Sequence, residues 1–236
     1  LTNCKNGISS YELARALGVT QKSAWFMLSR LRLALQDGET GGRLLRGTVE
    51  VDETFIGGKA RNMHAAKRKR LGISQSRSMI GKVAVMGLLE RHTKDEGGAQ
   101  VRFKVIANRK KHQLEAVVTE NVEVGANLYT DALRSYDRMG ERGYVHAVID
   151  HAEAYVDGAV HTNGLENFWS LLKRALKGTY VSVEPFHLFR YLDEQAYRFN
   201  NRKGSDASRF LEACASVFGK RLTYTGLTGK AEPQTC

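Results

Sequence analysis

Residues 48–58 read TVEVDETFIGG. Val49, Val51, Glu53 and Phe55 fall on one face of this stretch, and Glu50, Asp52, Thr54 and Ile56 on the other. Such a period of two predicts a β-strand, because successive side chains of an extended chain point to opposite sides. Asp52 stands among β-branched and aromatic neighbours. A carboxylate buried there without a partner is costly, so it requires a metal ion or a basic side chain. The competing reading is an edge strand with that face open to water.

Working outward, KVAVMGLLER (82–91) and AQVRFKVIA (99–107) predict a second and a third strand, with HTKDEGG (92–98) as a hairpin-like loop between them. KKHQLEAVVTENV (110–122) reads as a helix. ANLYTD (126–131) and GYVHAVID (143–150) predict strands four and five around a short helix, and the chain to about residue 202 is mostly helical. Three adjacent strands, a helix, two more strands and then helices is the order of a ribonuclease H-like α/β fold, a mixed five-stranded sheet flanked by helices. We assign that domain to residues 41–203 and a C-terminal extension to 204–236.

Upstream, residues 1–40 predict a small all-α region. Ser9 and Glu12 have capping-box spacing, SYELARAL follows, and Gly18 ends the helix. Thr20 caps a second helix, QKSAWFMLSRLRLAL, with Ala24, Leu28, Leu31 and Leu35 on one face. Two helices around such a turn make a helix-turn-helix pattern, which places Gln21, Lys22 and Ser23 where base edges are read. An ordinary helical hairpin would look the same, but Arg30 and Arg32 favour DNA. A glycine-rich linker, DGETGG (37–42), separates the two regions.

Lys+Arg number 36 against 25 Asp+Glu, and the net charge of +11 points to a polyanionic partner, most simply nucleic acid. Much of the excess follows the first strand: Lys59, Arg61, Lys67, Arg68, Lys69 and Arg70 suit phosphate contact better than a solvated face. Cys4, Cys214 and Cys236 are far apart and form no CxxC pair, so neither a disulfide framework nor a zinc site is readable. No apolar run approaches the roughly 18 residues of a membrane span. We therefore expect an intracellular protein with reduced thiols and no membrane partner. The chain starts at Leu1, so residues upstream of it remain open.

Two more acids accompany Asp52. Asp131 ends the fourth strand, where open α/β sheets bind ligands, yet an aspartate before ALRSY would also cap a helix. Glu166 lies in HTNGLENFWSLLKRALKGTY (161–180), an amphipathic helix with Leu165, Phe168, Trp169, Leu172 and Leu176 on its apolar face. Asn163 is a favoured N-cap and Glu166 has the capping-box position, which would suffice as a structural role. Glu166 also falls at the rim of the apolar face, nearly in line with Lys173 two turns later, and Arg174 and Lys177 extend that basic edge. His151 and His161 flank this motif, Trp169 reads as core, and Arg198 and Arg202 could reach DNA.

VEVDETFIGG, LYTDALRSY, the N-x-x-E-x-F-W-x-x-x-K block and the tail RFNNR together resemble the DDE-type insertion-sequence transposases of bacteria, in the branch related to Merlin elements. The resemblance covers nearly the whole chain. It implies a ribonuclease H-like catalytic domain, two Mg²⁺ ions with Mn²⁺ able to substitute, and double-stranded DNA as partner at both transposon ends and target. Cleavage at the transposon ends and strand transfer would be carried out by a homo-oligomer on DNA. Carried over by position, the metal ligands are Asp52, Asp131 and Glu166, Lys173 is the accompanying basic residue, and Asn163 and His161 stand just outside the ligands. A ribonuclease H-like nuclease or resolvase without strand transfer, and a non-catalytic helix-turn-helix protein, are the alternatives.

Overall fold

β1 (Thr48–Ile56) is the central strand of a five-stranded sheet. The structure, a computed structural model, describes residues 2–36, 43–58, 63–70, 72, 81–92, 98–131, 134–149, 160–181 and 183–229, without the side chains of Lys67 and Arg134. The predicted linker at 37–42, Lys59, Arg61, most of the 92–98 loop, His151 and the last seven residues of the extension lie outside the described residues.

The remaining strands are β2 (Val83–Glu90), β3 (Gln100–Ile106), β4 (Asn127–Asp131) and β5 (Val145–Ile149), in the order β3-β2-β1-β4-β5. β1 pairs antiparallel with β2 and parallel with β4; β2–β3 is antiparallel and β4–β5 parallel. The sheet is thus mixed and five-stranded, as the ribonuclease H-like reading requires. A central β1 also removes the edge-strand reading of Asp52, since both of its sides carry ladder hydrogen bonds.

The helices are α1 (Ser10–Leu17), α2 (Gln21–Leu35), α3 (Ala65–Arg70), α4 (Lys111–Asn121), α5 (Asn163–Gly178), α6 (Leu188–Asn200), α7 (Asp206–Ala215) and α8 (Tyr224–Thr228). By their contacts the residues form two compact units. One takes Leu1–Gly42, Arg174–Ser182 and His187–Cys236; the other takes Arg43–Lys173 and Val183–Phe186.

In the sheet unit, alternation along β1 sorts the two faces. Val49 and Val51, with Phe55 packed against them, join Leu114, Val117 and Val118 of α4 and Tyr136 and Met139 in one core. On the opposite face, Leu165, Phe168 and Trp169 of α5 are buried, and Phe103 of β3 stacks on Phe168 with ring centroids 4.6 Å apart. No side chain projects from Gly87 of β2, and that makes room for Trp169: a Cβ at Gly87 would lie 2.7 Å from the indole.

In the helical unit, α1 and α2 start and stop where the caps predict. Ser9 Oγ accepts from the Glu12 amide, Thr20 Oγ1 accepts from the Ser23 amide, and Gly18 adopts φ 66°, the left-handed region that a β-carbon disfavours. Ala24, Leu28 and Leu35 are buried as expected, but Leu31 remains 38% exposed. Arg32 corrects the sequence reading: it is buried and ion-paired to the buried Glu194 of α6 at 2.7 Å, not turned out with Arg30. Tyr180 and Arg198 also bond Glu194. Burial therefore withdraws Arg32 from DNA and commits Arg198 to a buried carboxylate, an arrangement that an unpaired charge could not survive.

Candidate active site

Asp52 and Asp131 are brought together by strand register. Val51 pairs with Thr130 across the parallel β1–β4 ladder, so the next residue on each strand is one of the two aspartates. Register neighbours on parallel strands share a face, here the one that α5 covers. Asp131 closes β4 opposite Ile149, and the following short helix begins only at Arg134. Residues 132 and 133, whose amides a cap by Asp131 would serve, lie outside the described residues.

Trp169 Nε1 donates to Asp52 Oδ2 at 2.8 Å, and the Glu53 amide donates to Asp52 Oδ1 at 2.8 Å. Burial pushes the Asp52 carboxyl up to about 6; the Trp169 bond opposes this, and the charges of Asp131 and Glu166 add to the rise. The charges of Asp131 and Glu166 thus both bear on Asp52. Glu53, on the other face of β1, accepts from the hydroxyl of the buried Tyr136. Burial pushes Glu53 up to about 7, with Asp131 and Asp52 contributing and Arg109 opposing.

Glu166 is exposed in the first turn of α5, at the rim of the buried stripe Leu165–Trp169–Leu172. Lys173, two turns on, is exposed as well, as are Arg174 and Lys177. The start of α5 differs from the predicted capping box. The Glu166 amide donates to the Thr162 carbonyl at 3.0 Å, which makes buried Thr162 the N-cap and exposed Asn163 the first helical residue. Thr162 and Asn163 are both good cap residues, and tertiary contact decides between them. Glu50 Oε2, projecting from β1, accepts from the Leu165 amide at 2.9 Å and satisfies a helix-end donor that a local side chain was expected to take.

His161 is bonded to Arg91, and its Nδ1 lies 3.7 Å from Glu50 Oε1. That Nδ1 lies 2.6 Å from Arg91 Nη2, and the His161 carbonyl accepts from the same guanidinium. Arg91 Nε donates to Glu50 Oε1 at 2.6 Å. Of the predicted DNA contacts, Arg68, Lys69 and Arg70 are exposed on α3. Gln21 Nε2 donates to Ser10 Oγ, Ser23 Oγ shares a hydrogen bond with Thr20 Oγ1, and Lys22 Nζ sits 4.9 Å from the Tyr224 ring centroid. All three side chains at the start of α2 thus have partners inside their own unit.

Sequence reasoning missed Glu50, Arg91 and the Trp169–Asp52 bond as parts of the site. The sole available signal was the alternation that put Glu50 and Asp52 on one face. Among the described residues, no three His, Cys, Asp or Glu side chains converge closely enough to hold a metal ion as they stand. The donor chemistry nevertheless suits a hard cation. Each carboxylate oxygen of Asp52 retains a second lone pair beyond its one hydrogen bond. A carboxyl whose pKa is raised chiefly by burial, and further by the charges of Asp131 and Glu166, is also a place where added positive charge is favourable.

Residues 44–200 match the family model for the ISXO2-like transposase domain. Over 97 residues the chain is 32% identical to an uncharacterized transposase-like protein of Haemophilus influenzae, a match that covers 41% of this chain and 78% of that protein. No helix among the described residues is long and apolar enough to cross a membrane.

Proposed function

The chain belongs to the ISXO2-like transposase domain family, and from that membership we propose that it cuts DNA at the ends of a mobile element and joins the freed 3′ ends to target DNA. The observation that carries the reading is the meeting of Asp52 and Asp131 at adjacent positions of parallel strands, with Glu166 coupled to Asp52 from α5.

Asp52, Asp131 and Glu166 would hold two Mg²⁺ ions, or Mn²⁺ in their place; such ions take oxygen ligands and only a few from protein. When bound, the pair supplies charge stabilisation to the attacking and leaving oxygens of a phosphodiester. The chain's own side chains do the rest. Trp169 holds the Asp52 carboxylate in one orientation at a half-buried position beneath α5. Lys173 contacts a phosphate beside the reacting one. Arg68, Lys69, Arg70, Arg174 and Lys177 neutralise duplex phosphates, and α1–α2 dock a terminal sequence through the start of α2. Catalysis of this type is mainly positioning and electrostatics. Acting on paired ends requires a homo-oligomer on DNA.

The test uses duplexes carrying the inverted repeats that flank the gene. Asp52→Ala, Asp131→Ala and Glu166→Ala should each lose Mg²⁺-dependent cleavage while retaining DNA binding by mobility shift. Normal cutting by Glu166→Ala would remove Glu166 from the site. A pre-cut 3′ end that fails to join target DNA, with cleavage intact, would assign a nuclease instead.

A further inference from the structure

Helix α5 carries Glu166, and two hydrogen bonds fix its place on the sheet. The donors are the Leu165 amide and the Trp169 indole, four residues apart on the helix. The acceptors are Glu50 and Asp52, two residues apart on β1. Four helical residues rise about 6 Å and two strand residues about 6.7 Å, so the two repeats match. Sliding α5 along β1 would break both bonds at once. Each bond also depends on a glycine. A Cβ at Gly164 would lie 2.8 Å from Glu50 Oε2, and one at Gly87 would strike the Trp169 ring.

Glu50 is 1% exposed, and a buried carboxylate holds this place only with compensating charge. Arg91, the residue after β2, provides it at 2.6 Å. The same guanidinium bonds His161 Nδ1 and the His161 carbonyl, each at 2.6 Å, and lies 4.9 Å from the ring centroid of Tyr129, the β4 partner of Glu50. One ion pair therefore ties β1, β2, β4 and the approach to α5 together, two residues before Asp52 on β1.

We propose that Glu50 and Arg91 are positioning residues: they lock the register of α5 against β1 and so set the spacing of Glu166 from Asp52. Neither touches a reacting atom. The inference rests on the reading of Glu166 as the third acid, and its test keeps the two apart. Mn²⁺ alone is titrated into the full chain, and the free-ion electron paramagnetic resonance signal gives the half-saturating concentration. Glu50→Ala removes both the helix acceptor and the charge, while Glu50→Gln keeps an acceptor. Half-saturation should rise on the order of 10-fold for Glu50→Ala and less for Glu50→Gln, with Glu166→Gln at least as weak as Glu50→Ala.

A purely structural role lowers the melting temperature of the Glu50 variants and leaves Mn²⁺ half-saturation unchanged where they are folded. That outcome, with Glu166→Gln impaired, overturns the inference alone. Wild-type Mn²⁺ binding by Glu166→Gln removes the third-acid reading first, and the lock with it. Should Glu50→Ala fail to fold, Arg91→Lys takes its place. It keeps the charge but loses the fork that grips Glu50 and His161 together, and it must shift half-saturation in the same direction.

Discussion

Asp52 is held in a state that opposes its own charge. Its carboxyl is raised from the ordinary 3.8 to about 6, chiefly by burial. An acid that binds its proton more tightly when folded favours the fold at low pH and loses that contribution as pH rises through its folded value. In the metal-free protein, the Asp52 contribution should decline from about pH 4 to about pH 6. Glu53, raised to about 7, extends the decline. Asp52→Asn removes the charge but keeps an acceptor for only one of its two donors, Trp169 or the Glu53 amide, so any gain in stability of the metal-free protein at neutral pH should stay below roughly 3 kcal/mol. Melting temperatures across this pH range check the claim; an unchanged pH slope in Asp52→Asn would sink it. Asp52 was legible in the sequence because a charge in a β-branched run demands an explanation. The Trp169 bond was not, because helical periodicity reports that a side chain is buried and says nothing of where its N–H points. The cap of α5 escaped for a similar reason: its extra acceptor, Glu50, lies 115 residues away from Leu165.

Among the elements, β2 and α5 test how closely packing fixes the site. Gly87 sits opposite Asp52 in the β1–β2 register and lies under Trp169. Adding one methyl there forces the indole and Leu165 to shift. Gly87→Ala should therefore destabilise the protein by about 1–3 kcal/mol, as overpacking does. In a Trp169→Phe background the smaller ring leaves room, and the same substitution should cost less. Denaturant midpoints for the four proteins measure this cycle; Gly87→Ala as stable as the parent contradicts it. The succession of strands along the chain and the bounds of α1 and α2 were legible because alternation, caps and Gly18 are local signals. Leu31 and Arg32 were misjudged because the hidden stripe of α2 is set by its neighbours. The Arg32–Glu194 pair joins residues on α2 and α6, and helical periodicity reserves no place for a buried charge.

For the whole molecule, the +11 charge and the order of strands carry the account further than any single motif. The charge fits a polyanionic partner, and topology puts two aspartates from distant segments on neighbouring strands. On the proposed reading, Asp52, Asp131 and Glu166 make one metal site. The most direct measurement is anomalous diffraction from crystals of the full chain soaked in Mn²⁺. Mn²⁺ peaks should appear ligated by Asp52 and Asp131, with Glu166 as a third ligand. Saturating Mn²⁺ that binds elsewhere, with these carboxylates left uncoordinated, would contradict that reading.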